Sequence, residues 1–309
     1  MFATMWMPRV HTAVDELAMW TEDLHRRAPM PFRPARALPL DCFGPLPTPS
    51  GAPPRQGAWQ APSPRAFAGD PVLHVEATPA RGTRLGTVIL VPPWKLPRLS
   101  MLSGWTSGLA AAGHDVWTLI PPRHLGRAAG GGRSGEAFVS PDLPAVRAAM
   151  EQLVLELRVL VGWARTQPGR VALVGLSLGG LAAALAATAP ERIDRLAAIA
   201  PPADLAAVAA GTRIGRRYLQ LCARAGAPAP AAPELAEMLA PFLPAARAPT
   251  AGRVLVAVGD ADRIALPPGA LSLAQRWKAT LRRYPRGHLT LLFACAAVRT
   301  DVQAFLGAE

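Results

Sequence analysis

The sequence predicts an α/β protein: a mostly parallel central sheet, helices on both faces and a helical cap inserted late in the chain. Three observations carry that expectation. From Pro71 onward, short apolar runs alternate with longer helical patterns, the rhythm of strand–helix–strand units. Several of these runs are near-continuous Val, Ile and Leu, as strands covered on both faces require. Half of the 309 residues are apolar, enough to bury a sizeable core.

In chain order, residues 1–68 read as an N-terminal helix and a proline-rich arm. Val14, Leu17, Ala18 and Leu24 fall at helical spacing, and the segment from Pro29 to Pro64, which includes PLPTPSGAPPRQG, resembles an extended linker. The folded domain is expected over 69–309. Its strands are VLHVEA at 72–77, GTVILV at 86–91, DVWTLI at 115–120, RVALVGL at 170–176, RLAAIA at 195–200, RVLVAVG at 253–259 and TLRRY at 280–284. Between the third and fourth of these, Val146, Met150, Leu153, Leu157 and Leu160 lie on one helical stripe. Pro144 is acceptable in the first turn of that crossover helix and Pro168 ends it. At about 201–250 the alternation breaks into two alanine-rich helical patterns around a proline-rich seam, an insertion placed to cap whatever site the sheet presents.

Composition excludes several classes of function. The formal charge is +12, yet only Lys95 and Lys278 are lysines, and the arginines are scattered through an Ala-, Pro- and Gly-rich chain. That pattern reflects a biased residue supply and not a basic patch interleaved with aromatics, so no nucleic-acid partner is expected. Cys42, Cys222 and Cys295 are odd in number and far apart, which leaves neither a disulfide framework nor a metal knuckle and fits a reducing, cytoplasmic compartment. The first twenty residues lack a basic stretch followed by an uninterrupted apolar one, so no export signal is expected.

Val171 to Pro190 contains no charged residue, and its length approaches a bilayer span. Ala and Gly dominate it after Leu178, and GLSLGG interrupts it. A buried strand, a sharp turn and a short helix ended by Pro190 explain the pattern better than a membrane span.

At that turn stands Gly175-Leu176-Ser177-Leu178-Gly179, a GxSxG nucleophile elbow. The glycines are needed because a side chain two residues from the serine would collide with the neighbouring strand or helix. A phosphate-holding turn is the alternative reading. A serine hydroxyl becomes a nucleophile when a histidine accepts its proton and an acid fixes the histidine's tautomer. RVLVAVGDAD places Asp262 just after a late strand, and TLRRYPRGH places His288 just after the last one. The expected catalytic residues are therefore Ser177, Asp262 and His288, with Asp260 and Asp204 as substitute acids. His11, His25, His74 and His114 have ordinary structural explanations. His124, after a strand end in PPRHLGR, is expected with Pro93 to line the pocket.

Hydrolysis also needs donors for the developing oxyanion. One is the amide of Leu178. The other would come from VPPWK, where Pro92 and Pro93 have no N–H, so Trp94 is the first possible donor; walling the acyl pocket is its alternative role.

On GLSLGG, the GDAD turn and the terminal GH before a helix, the chain from about 69 to 309 resembles the α/β-hydrolase superfamily. The resemblance implies the α/β-hydrolase fold, a Ser-His-Asp triad and an acyl-enzyme, with no metal or organic cofactor. Where that superfamily often has His-Gly in its oxyanion loop, this chain has VPPW. VPPWK followed by GHDVWTLI is similar to polyhydroxyalkanoate synthases, which carry cysteine in the elbow, and PPRHLGR is similar to a little-characterised abhydrolase branch. The expected function is hydrolysis of a carboxylic ester, a small molecule or a lipid-like one with a medium or longer acyl chain. A thioesterase, an acyltransferase, a polyester-related hydrolase, a peptidase and a non-catalytic binding protein on the same fold are the alternatives, with a surface-bound lipid-interacting protein that uses the arginines and the N-terminal helix.

Overall fold

Val88, Ile89, Leu90 and Val91 are all fully buried, because the strand that carries them runs through the middle of the sheet with helices on either side. The structure, a computed structural model, describes residues 10–16, 40–46, 54–67, 70–128, 132–224 and 231–308. Its elements begin with a helix at 10–16 (α1), β1 (Gly57–Phe67), β2 (Asp70–Thr78), β3 (Gly86–Val91), α2 (Ser103–Ala111) and β4 (His114–Ile120). They continue with α3 (Leu143–Arg165), β5 (Arg170–Leu176), α4 (Leu178–Ala186) and β6 (Arg195–Ile199). Then come α5 (Leu205–Gly211), α6 (Arg213–Arg224), α7 (Ala232–Leu239), β7 (Arg253–Gly259), α8 (Pro267–Arg276), β8 (Thr280–Tyr284), α9 (His288–Ala294) and α10 (Ala296–Gly307).

Among the described residues the strands form one sheet in the order β1-β2-β4-β3-β5-β6-β7-β8. β2 is antiparallel to both of its neighbours, and every other pairing is parallel. From β3 the chain crosses to β4 on one side and then returns through α3 to β5 on the other. That reversal makes a switch point at the carboxyl ends of β3 and β5, where open α/β sheets hold their ligands.

Two cores flank the sheet. On one face α3, α4 and α8 pack through residues such as Leu153, Leu157, Leu181 and Leu273. On the other, Trp105 and Leu109 of α2 meet Leu291, Val298 and Val302 of α9 and α10, and Trp105 Nε1 donates to Leu292 O at 2.8 Å. Each fully buried Leu or Val is worth about 1.5–3 kcal/mol. α3 begins as expected, with Asp142 accepting from the Ala145 amide at 3.3 Å and a proline in the first turn. The polar side of α3 is also buried, however. Glu156 accepts from Arg127 at 2.7 Å and from Ser63 at 2.7 Å, and Arg158 donates to Cys42 O and Gly44 O.

This burial exposes the main departure from the sequence reading. Residues 57–64, expected within a linker, belong to β1, which pairs antiparallel with β2 from Gly57↔Ala77 to Pro62↔Val72 before an irregularity. Pro62 and Pro64 are tolerated because β1 is an edge strand, where a missing N–H breaks no ladder on the open side. In α1 the buried side chain is Asp15, whereas Val14 is 37% exposed. Leu17, Ala18, Leu24 and His25 lie outside the described residues.

The stretch from Val171 to Pro190 resolves into β5, the turn at Ser177 and α4. No single helix among the described residues is long and apolar enough to cross a membrane; α9 and α10 reach that measure only as a pair bent by 65°.

Candidate active site

Ser177 stands between β5 and α4 with φ 53° and ψ −117°, a positive-φ backbone that a non-glycine residue holds only when its surroundings impose it. The surroundings do so. A Cβ on Gly175 would overlap the Gly179 carbonyl, and one on Gly179 would overlap the carbonyls of Val91 and Pro92. The Ser177 amide donates to Ile199 O at 2.8 Å, which ties the bend to β6. The turn thus lifts the hydroxyl at the carboxyl end of the sheet and aims the amino end of α4 at it.

Asp262 and His288 arrive from the loops after β7 and β8. Asp262 is buried, and its Oδ1 accepts from the amides of Ile264 and Ala265, each at 2.8 Å. Its Oδ2 accepts from His288 Nδ1 at 2.7 Å. Because the carboxylate claims the Nδ1 proton, Nε2 is left as an acceptor, and the Ser177 hydroxyl donates to it at 2.8 Å. The structure therefore brings the three predicted residues together. Burial of His288 opposes its charged form, but the charge and hydrogen bond of Asp262, with a further contribution from Asp15, outweigh it and hold the pKa above its usual value. Such an arrangement can pass a proton from hydroxyl to imidazole and stabilise the imidazolium that results.

The substitute acids are elsewhere. Asp260 pairs with Arg283 at 2.8 Å on the surface, and Asp204 caps α5 by accepting from the Ala207 amide at 2.9 Å.

Ser177 and Leu178 face a cavity of about 180 Å³ whose walls also include Trp94, Phe138, Met150, Val208, Tyr218 and Ile264. Among the described residues no charged side chain lines it. α5, α6 and α7, which follow β6 as the expected insertion, supply Val208, Tyr218 and Leu239 to this wall. Residues 225–230 of the seam lie outside the described residues.

Trp94 lies on the cavity wall and its indole donates to Gly135 O at 2.8 Å. His124 and Pro93, expected to line the pocket, are buried but do not reach the cavity. His124 stacks edge-on against Phe138, with ring centroids 5.3 Å apart, and its Nδ1 donates to Pro122 O at 2.8 Å. Phe138 thus stands between it and the lumen. Burial drives the His124 pKa down to about 4, so the ring is neutral and supports the wall.

Sequence reasoning missed Asp15. Its Oδ2 accepts from the His288 amide at 2.7 Å and its Oδ1 from the Leu289 amide at 3.0 Å. Among the described residues no group of three or more His, Cys, Asp or Glu side chains is placed to hold a metal ion.

Comparison with known proteins agrees with this architecture. Est1E from Butyrivibrio proteoclasticus superposes with a TM-score of 0.53 at 14% identity, covering 81% of this chain and 98% of its own. A soluble variant of monoglyceride lipase from Saccharomyces cerevisiae, in complex with a substrate analog, gives 0.54 at 14% identity, covering 85% and 98%. An esterase from Pyrococcus furiosus gives 0.52 at 18% identity, covering 76% and 87%. At these identities the likeness is one of fold. No curated protein matches the sequence. The profile of the prolyl oligopeptidase family matches residues 129–288, more than half of the chain and a span that runs through the elbow to His288. The sheet order, the bend at Ser177 and that match together place the chain in the prolyl oligopeptidase family, within the α/β-hydrolase superfamily.

Proposed function

We propose that the protein is a serine hydrolase that cleaves carboxylic esters of apolar acids, with Ser177 as nucleophile, His288 as general base and acid, and Asp262 as the orienting carboxylate. One observation carries the reading: the Ser177–His288–Asp262 hydrogen-bond relay opens onto an uncharged, apolar cavity. Ser177 Oγ attacks the ester carbonyl carbon while its proton passes to His288 Nε2. The tetrahedral oxyanion is held by the Leu178 amide and by the amide of Trp94. His288 then returns the proton to the departing alkoxide, leaving an acyl-serine. Water then attacks the acyl carbonyl while His288 takes its proton, and as the bond to Ser177 Oγ breaks His288 passes that proton to the departing serine oxygen, releasing the acid. Each oxyanion donor is worth about 3–4 kcal/mol of transition-state stabilisation. The acyl group occupies the cavity, where none of the described lining residues carries a charge to pair with a charged substituent.

Membership of the prolyl oligopeptidase family favours a second reading, cleavage of a peptide bond by the same residues. A panel of p-nitrophenyl esters of increasing chain length, an acyl thioester and a peptidyl anilide, presented to wild type and to Ser177→Ala, separates the two. We expect ester turnover with negligible anilide cleavage, abolished in the variant. Anilide turnover exceeding that of the esters would establish the peptidase reading instead. A folded wild type that turns over none of them and fails to react with a fluorophosphonate probe would end both.

A further inference from the structure

The residues that hold His288 do not all come from the sheet. α1 lies against the loop that delivers the imidazole. Asp15 is fully buried there, and its two oxygens take the amide protons of His288 and Leu289 at 2.7 and 3.0 Å. These are first-turn donors of α9, which have no partner within their own helix. A second contact flanks the first: Arg286 Nη1 donates to His11 Nε2 at 2.9 Å. The fit leaves no slack, because a Cβ on Gly287 would come within 2.6 Å of Asp15 Oδ2 and 2.7 Å of His11 O.

We propose that Asp15 is a positioning residue, by which the N-terminal helix fixes the backbone of His288 so that the imidazole meets Ser177 and Asp262 in register. The inference rests on the hydrolase reading above. A carboxylate is suited to the task, since it accepts two N–H groups at once, whereas an amide side chain offers one acceptor oxygen. Burying it is costly, as the raised pKa of Asp15 shows; desolvation causes that rise, and the two amide bonds and His288 oppose it. Around His288 stand Asp262, Asp15 and the Ser177 hydroxyl; around Asp15 stand His288, Asp262, His11 and, beyond His11, Arg286. Burial followed by Arg286 lowers the His11 pKa, so His11 is a neutral acceptor and Asp15 supplies the negative charge on this side.

The rate at which a fluorophosphonate probe labels Ser177, followed against pH in the full chain, tests the proposal without a known substrate. Asp15→Asn preserves size and one amide bond but removes the charge. It should fold, label more slowly and show its half-maximal rate at lower pH than wild type. Asp15→Ala and Gly287→Ala should both label about ten- to a hundredfold more slowly, the scale expected when a catalytic group is displaced by about an ångström. Val14→Ala, on the exposed side of α1, should match wild type. Circular dichroism and thermal melting separate loss of labelling from loss of fold. Asp15→Asn with the wild-type rate and midpoint would overturn the proposal, as would variants whose labelling falls only in proportion to the folded fraction. In either case labelling of wild type but not of Ser177→Ala would leave the hydrolase reading intact; a folded wild type that never labels removes both.

Discussion

His288 and Asp262, twenty-six positions apart, are joined by a 2.7 Å hydrogen bond between two buried side chains. Burial alone would drive the imidazole to lose its proton early, but the carboxylate outweighs it and the pKa is raised. Only the neutral ring can accept the proton of Ser177. Activity should therefore rise with pH through a midpoint above the usual histidine value of about 6.5. Asp262→Asn should move that midpoint down and lower kcat by about three to four orders of magnitude. A kcat/KM profile of both proteins on one ester measures the shift, and coincident midpoints would contradict it. The same proton is linked to folding: the stabilisation is fully present below the unfolded-state pKa and is lost as pH rises through the higher native one.

Gly179 lies against the carbonyls of Val91 and Pro92, and both neighbours are backbone, so neither can swing aside. Gly179→Ala should cost about 1–3 kcal/mol through overpacking and should slow fluorophosphonate labelling of whatever protein remains folded. Urea titration and the labelling rate of the folded fraction check the two effects separately. Labelling at the wild-type rate would mean that the bend can relax without moving the hydroxyl.

Arg127 donates to both oxygens of Glu156 at 2.7 and 2.8 Å and to Asp70 at 3.0 Å. The side chains of Arg127 and Glu156 are wholly inaccessible to solvent. Arg127→Ala strands two buried carboxylates and should destabilise the protein by about 3–5 kcal/mol. Equilibrium denaturation reads this directly. A loss below about 1 kcal/mol, the range of a surface pair, would show that water reaches the site.

Val208 and Leu239 line the cavity from the cap and are half-buried. Val208→Phe should shift the preference toward shorter acyl chains, and Leu239→Ala toward longer ones. Each methylene gained or lost should change kcat/KM by about tenfold or more. The ester series reports the order of preference, and an unchanged order in both variants would place the acyl group elsewhere.

Strands β3 and β5 to β7 are readable from the chain because a buried parallel strand needs a near-continuous apolar run, a pattern that little else produces. β1 is not, because GAWQAPSPRAF contains two prolines and alternates in burial; its place is decided by β2 and α3, which lie far along the chain. Ser177, Asp262 and His288 are legible for a local reason: each follows a strand end. Asp15 has no local signature. It is one acid in an amphipathic segment, and its meaning comes from amides 273 and 274 positions away. His124 misleads for the opposite reason, since a strand end and a polar ring suggest a pocket residue until Phe138 is seen to cover it.

The two margins of the sheet are finished differently, and this has a bearing on self-association. β1 carries Pro62 and Pro64 on one margin, and β8 on the other is five residues long and exposes Arg282 and Arg283. Missing donors and like charges both frustrate the docking of a foreign ribbon. Molecules in their native form thus offer one another little template for stacking into fibrils, and insolubility on heating should begin only once the hydrophobic layers have come apart.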